Sequence, residues 1–218
     1  MKDAKNGQGI LAPKLPKLLD IEDFDGYTIE SEDICRLKKF CDCTIENAAA
    51  EKVTFEQVVF SDVVFRKVSL VSAELTDVRF ENCDLSNADL SRAVIYRSEF
   101  INCKLMGINL GEATLRDVVF DACNGSYSNF KLSDCKQLCF RGCMLQNADF
   151  MEARFAKVYL ECCNMRQTQL CGVKLKGMDL SDCDIEGIGI RLEDLNGVKV
   201  SALQAVELSR LLGIIIKE

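Results

Sequence analysis

From Ile45 to Val200 the large apolar residues of this chain recur at every fifth position. Of the 32 positions in that stretch whose number is a multiple of five, 29 hold Leu, Phe, Ile, Met or Val, as in Phe55, Phe60, Phe65, Leu70 and Leu75. Two residues before each of these centres the side chain is small or β-branched, and 27 of the 32 are Ala, Cys, Ser, Thr or Val. Neither register slips once. A period of five fits neither the 3.6 of an α-helix nor the 2 of a plain strand. It demands a backbone that turns through a fixed angle every five residues, sending two side chains inward and three outward.

A second, longer period sits on the first. Cys43, Cys83, Cys103, Cys123, Cys143, Cys163 and Cys183 share one small slot at multiples of twenty, broken only by Val63. Phe60, Phe80, Phe100, Phe120 and Phe140 share one central slot in the same way, continued by Leu160, Leu180 and Val200. Residues twenty apart are therefore expected to stack, with four five-residue segments per turn and about eight coils over residues 41–200. At the spacing of neighbouring strands this makes a rod roughly 38 Å long. Its stability should come from contacts between successive coils, so both ends need caps.

The repeats Ala88-Asp89-Leu90-Ser91-Arg92 and Ala148-Asp149-Phe150-Met151-Glu152 closely match A(D/N)LXX, and on them the chain resembles the pentapeptide-repeat family over residues 41–200. The resemblance implies an all-β solenoid, a right-handed quadrilateral β-helix with four repeats per coil. Outside it, residues 1–40 read as an N-terminal arm or cap: Lys38 would fall in an inward slot, placing the first coil near Phe40 or Cys43. The stretch from Pro13 to Leu19 is extended, with Leu and Ile residues available to cover that coil. Residues 201–218 form the other end. Glu193 breaks the small slot and marks a loosening coil; Ser201 and Gln204 fit a capping box, Leu203 to Leu212 a short α-helix, Gly213 its stop, and Ile214 to Ile216 a terminal strand.

This tail is similar to the C-terminal end of the quinolone-resistance subgroup, in which a helix caps the column and two columns join end to end. The similarity implies a homodimer through Leu203, Val206, Leu208, Leu211, Ile214, Ile215 and Ile216. It also implies a protein partner, DNA gyrase or topoisomerase IV, engaged by a rod that imitates DNA. Some members of that subgroup carry projecting loops, and no insertion interrupts the register here.

Composition narrows the chemistry. The 218 residues contain no histidine, which removes the usual neutral-pH general base and any Ser/His or Cys/His pair. Catalysis is not expected, nor is a cofactor. With 27 basic and 34 acidic residues the net charge is −7, so direct binding to nucleic acid is disfavoured. No apolar run approaches the roughly 20 residues that span a bilayer, and no secretory core follows the N-terminus, so a cytoplasmic protein without membrane contact is expected. The thirteen cysteines read as reduced thiols. Those in the inward ladder behave as small hydrophobes, and a line of thiols 4.8 Å apart cannot close around one metal ion. Cys162 and Cys171 fall in outward slots.

Charge is uneven around the rod. The wall centred on the Phe ladder carries Asp62, Glu81, Glu99, Asp121, Glu161, Asp179 and Asp182 against Arg79, Arg141 and Lys199. Two readings stay open for it: a solvated face that keeps the protein soluble, or a protein-binding surface resembling a polyanion. The corresponding functions are a topoisomerase-binding mimic and a structural scaffold with no such activity. One coil breaks the size rule twice, at Gly125 and Cys135 on opposite walls. There Phe130 and Phe140 are expected to lean into the vacated volume, and Asn124-Gly125-Ser126 to form the column's only kink. No cleft is expected elsewhere.

Overall fold

The computed structural model describes residues 9–22 and 29–215. Eleven strands of three or four residues come first: β1 (Asp20–Glu22), β2 (Ile34–Arg36), β3 (Lys38–Cys41), β4 (Thr44–Glu46), β5 (Ala49–Glu51), β6 (Thr54–Glu56), β7 (Val59–Ser61), β8 (Val64–Arg66), β9 (Ser69–Val71), β10 (Glu74–Thr76) and β11 (Arg79–Glu81). Four strands of eight follow, β12 (Val94–Ile101), β13 (Thr114–Asp121), β14 (Asp134–Arg141) and β15 (Arg154–Glu161). Every pairing is parallel and joins residues twenty apart, except that of β1 with β3. The result is a β-solenoid of about seven turns with one short C-terminal helix. The twenty-residue period thus sets the register, with about seven turns against the roughly eight expected.

Four walls follow from the pairings. The first stacks β2, β6 and β10 onto the leading halves of the long strands, and the second stacks β3, β7 and β11 onto their trailing halves. The third and fourth begin as β4–β8 and β5–β9 and continue as single bridges such as Asp84↔Lys104 and Asp89↔Asn109. The twenty-residue register starts at Ile34, ahead of the Phe40 or Cys43 expected from the inward Lys38, because Cys35 already fills a central slot beneath Phe55.

Each wall turns into the next through a residue in the left-handed region, such as Asp62 (φ 58°), Asn82 (φ 55°) and Asn102 (φ 51°). Non-glycine residues pay on the order of 1 kcal/mol for this conformation. Asn and Asp tolerate it best, and the turn directs each corner N–H to the next coil, as in Asn82 N to Ile101 O at 3.0 Å.

The inside is filled by the two expected ladders. Phe60, Phe80, Phe100, Phe120 and Phe140 stack with centroids 4.7 to 4.9 Å apart and planes within 12° of parallel. Phe40 extends the stack by one ring at 5.2 Å. The cysteine ladder lies beside it, and each buried thiol donates to a carbonyl of the phenylalanine ladder, as Cys103 Sγ to Phe80 O at 3.5 Å and Cys123 Sγ to Phe100 O at 3.2 Å. All thirteen cysteines are free.

The coil with Gly125 differs from expectation. Phe140 stays in its stack, 4.8 Å from Phe120, and Phe130 stacks on Phe150 at 4.7 Å, so neither ring leaves its ladder. Leu145 supplies the missing volume: a Cβ added to Gly125 would lie 3.2 Å from its Cδ2. Only about 10 Å³ remains open there. Nor is there a kink, because Gly125 N donates to Met144 O and Asn124 Oδ1 accepts from Ser126 N, the arrangement of the neighbouring turns.

Both ends also depart in part from the sequence reading. Of the described arm residues, Ile29 packs into the core at the base of the column, whereas Leu18 and Ile21 stay exposed. Residues 9–17 run along the outside of the column, held by groups as distant as Asp117 and Gln137, and only β1 pairs at the base. At the other end α1 (Ala202–Ser209) has the expected capping box, with Ser201 and Gln204 bonded reciprocally. Buried Gln204 pins it to the column by donating to Leu180 O and Cys183 O, each at 2.7 Å. A short 3-10 turn, Arg210–Leu212, then stops at Gly213 (φ 74°). Ile214 and Ile215 are exposed and form no strand, while Ile216 lies outside the described residues.

Candidate protein-binding face and cleft

The second wall holds the seven acidic residues of the sequence reading, on strands and corners fixed by the phenylalanine stack behind them. Three are paired with two arginines. Glu99 pairs with Arg79 at 2.8 Å, and Arg141 bridges Asp121 at 3.3 Å and Glu161 at 3.1 Å. Asp62, Glu81, Asp179 and Asp182 form no ion pair with a described residue. Asp62 accepts from Ser61 Oγ at 2.9 Å. Asp179 accepts from Ser181 Oγ at 2.6 Å and from its N–H at 3.1 Å, and these bonds hold its carboxyl below the usual range. The wall is thus acidic at its two ends and balanced in the middle.

Near its C-terminal end the column opens, which contradicts the expected uninterrupted surface. β15 pairs with β14 on one side and with nothing on the other. In earlier coils corner N–H groups reach the next coil, as Asp77 N to Tyr96 O and Gly142 N to Glu161 O. Cys162 N instead donates to the side chain of Asp182 at 3.1 Å. The segment after the break pairs away from β15, with Leu175 N donating to Asp194 O and Leu180 N to Lys199 O. The third and fourth walls stay closed there, through Asn164↔Asp184 and Gln169↔Gly189. The coil is therefore parted like a wedge, open on two walls and hinged on the other two.

The opening has a volume of about 610 Å³ and an exposed rim. Glu161, Asp179 and Asp182 lie at its second-wall end together with Lys199, whereas Lys174 and Lys176 lie at its first-wall end and Lys157 sits at the corner between them. The open strand edge thus lies between a basic and an acidic rim. Phe155, Tyr159 and Met178 supply partly buried apolar floor. Sequence reasoning found the three carboxylates but missed the lysines and the cleft, since Leu175 and Leu180 keep the inward pattern intact across the break. The available signal was Met178, a long side chain in a slot that holds Val118, Leu138 and Val158 in the coils before it.

The residues assigned to an end-to-end interface divide. Leu203, Val206, Leu211, Ile214 and Ile215 are exposed, with Leu203 at 81% and Ile215 at 88%, but Leu208 packs against the column. Among the described residues no group of three His, Cys, Asp or Glu side chains converges as a metal site would require, and no helix is long and apolar enough to cross a membrane. Exposed Cys162 lies with Sγ 3.5 Å from Asp182 Oδ2, and this carboxylate pushes the thiol pKa up.

Comparison with known proteins completes the picture. No curated protein sequence matches the chain. A family model described as a pentapeptide repeat region matches residues 73–150 and 93–170. Among solved structures, a trypsin-treated variant of QnrB1, a plasmid-mediated fluoroquinolone resistance protein, is 18% identical, with 86% of this chain and 99% of that chain covered at a TM-score of 0.43. HetL, a pentapeptide repeat protein involved in heterocyst differentiation regulation from the cyanobacterium Nostoc sp. strain PCC 7120, is 15% identical, with coverages of 81% and 91% and a TM-score of 0.43. The unbroken five-residue register, the stacked coils it builds and the family model matching within residues 73–170 agree: the chain contains a pentapeptide-repeat region.

Proposed function

We propose that this protein is a non-catalytic scaffold that binds another protein through the acidic second wall and the cleft at its end. The observation that carries the reading is the open edge of β15 beside Glu161, Asp179 and Asp182. An unpaired strand edge accepts an extended segment through main-chain hydrogen bonds, and the charged rims on either side favour a segment of opposite polarity. Absence of histidine and the exposed rim argue against acid–base chemistry in the cleft.

Within this reading the partner is DNA gyrase or topoisomerase IV, met by Asp62, Glu81, Asp179 and Asp182 as a stand-in for phosphates. The competing reading, a structural scaffold with no topoisomerase activity, draws support from Arg79 and Arg141, which pair with three of the seven carboxylates on that wall and cancel two of the charges. A gyrase supercoiling assay with and without quinolone separates the two. Protection or inhibition that is lost on replacing these three aspartates and one glutamate by Lys supports the mimic, and no effect at large molar excess removes it. The exposed apolar residues of α1 and the following turn further support a homodimer joined at that end.

A further inference from the structure

The corner between the first and second walls is lined by Gln57, Asp77, Arg97, Asp117, Gln137 and Lys157, all in the left-handed conformation. Polar side chains elsewhere on the column serve their own turn or the coil above, as Asp84 Oδ1 accepting from Ser86 N and Asn102 Nδ2 donating to Asn82 Oδ1. At this corner they reach instead to the N-terminal arm. Gln137 Nε2 donates to Gly9 O at 3.3 Å, Leu11 N to Asp117 Oδ1 at 3.0 Å, Lys14 N to Asp77 Oδ1 at 2.9 Å, and Gln57 Nε2 to Lys14 O at 2.7 Å. Ile10 is buried to 1% exposure between these contacts.

The match is metric as well as chemical. Leu11 and Lys14 are three residues apart, about 10 Å in an extended chain. Asp117 and Asp77 are two coils apart, about 9.6 Å at strand spacing. Pro13 falls between the two contacted N–H groups, where no donor is needed, and its fixed φ favours the extended form. The acceptors are held in place beforehand. Arg97 grips Asp77 with Nε and Nη2, each at 2.7 Å, and Gln137 Nε2 donates to Asp117 at 3.1 Å. With the arm in place Asp77 and Asp117 are only 4% and 7% exposed, so the arm both covers these two carboxylates and supplies each with a donor.

We propose that this corner is a peptide-binding site that reads the backbone of an extended segment, and that residues 9–14 are its ligand in cis, exchangeable for the same segment of a second copy. The four hydrogen bonds named above all involve the arm's main chain, so the site calls for two N–H donors three residues apart, flanking carbonyls, and one apolar side chain at the Ile10 position. A segment delivered in trans meets the same requirements.

The test uses the full chain with its own arm disabled. Ile10→Asp with Leu11→Pro removes the buried side chain and the N–H that meets Asp117, and leaves the column sequence untouched. A fluorescent peptide of residues 7–17, followed by anisotropy, should bind this variant one to one. Affinity should be at least tenfold higher than for the unaltered chain, whose tethered arm competes at an effective concentration in the millimolar range. Adding Asp117→Leu should abolish binding; leucine is tolerated in this corner conformation, as Leu37 (φ 56°) and Leu132 (φ 59°) demonstrate. Should that variant unfold, Gln57→Ala with Gln137→Ala takes its place and should weaken binding at least tenfold. No binding to the folded arm variant, or binding indifferent to the corner substitutions, would overturn the proposal.

Discussion

The coils up to β15 and those after it obey the same five-residue rule but are held together differently. In the middle, each long strand is paired on both sides, and the phenylalanine rings behind β11 to β14 stack without a gap. Beyond β15, Leu175 and Leu180 are still 0% and 1% exposed, yet on two walls the ladder is broken between β15 and the segment that carries them. Inward burial and strand pairing are therefore separable. The first needs only an apolar residue at each centre. The second also needs layers of even thickness, which stacked rings and small side chains provide in the middle. At the break the ring stack gives way to Leu160 and Leu180, and Met178 occupies the small slot.

Truncation should separate the two regions most strongly. Phe100 is fully buried between Phe80 and Phe120, so Phe100→Ala should cost about 3 to 5 kcal/mol. Leu180→Ala, beside the cleft, should cost about 2 kcal/mol because neighbouring atoms have room to relax. Urea midpoints at constant slope measure both, and equal losses would remove the distinction.

Thiols give a second contrast. Cys135, at 0% exposure, has its pKa pushed up from 9.0 to about 12 by burial. The folded chain then keeps a proton that the unfolded chain releases. Its contribution to stability is complete below pH 9.0 and is lost as pH rises through about 12, which melting temperatures across that range should reveal. At neutral pH a maleimide should label Cys162 and Cys171 first and leave Cys103, Cys123 and Cys135 unlabelled until the column unfolds. Uniform labelling of native protein would contradict the inward register.

Smaller effects sharpen the comparison. Met178→Val restores the slot to its usual size and should raise stability by about 1 kcal/mol as the parted coil closes; a loss instead would show that Met178 fills needed volume. Glu99→Gln weakens one partly buried pair with Arg79 and should cost only about 0.5 to 1 kcal/mol.

How far the sequence anticipates this molecule follows the same division. The ladders, the walls, the acidic residues and the capping box of α1 are all set by side-chain period or local turn chemistry, and each is visible in the chain. The path of the arm is not, because Asp77 and Asp117 look like any other outward polar residue until Leu11 and Lys14, 106 and 63 residues away, are brought beside them. The Gly125 coil is smooth because Leu145, twenty residues on, fills the space, which the count of large and small residues within one coil does not register. The cleft escapes for the opposite reason, since burial persists while pairing fails.

The account turns on the open edge of β15, and amide hydrogen exchange of the native protein tests it most directly. The N–H groups of Phe155, Lys157 and Leu160 should exchange orders of magnitude faster than those of Cys135, Gln137 and Phe140, which occupy the same positions one coil earlier and are paired with β15. Equal, strong protection in both sets would mean that the ladder continues through the column and that no strand edge is available to a partner.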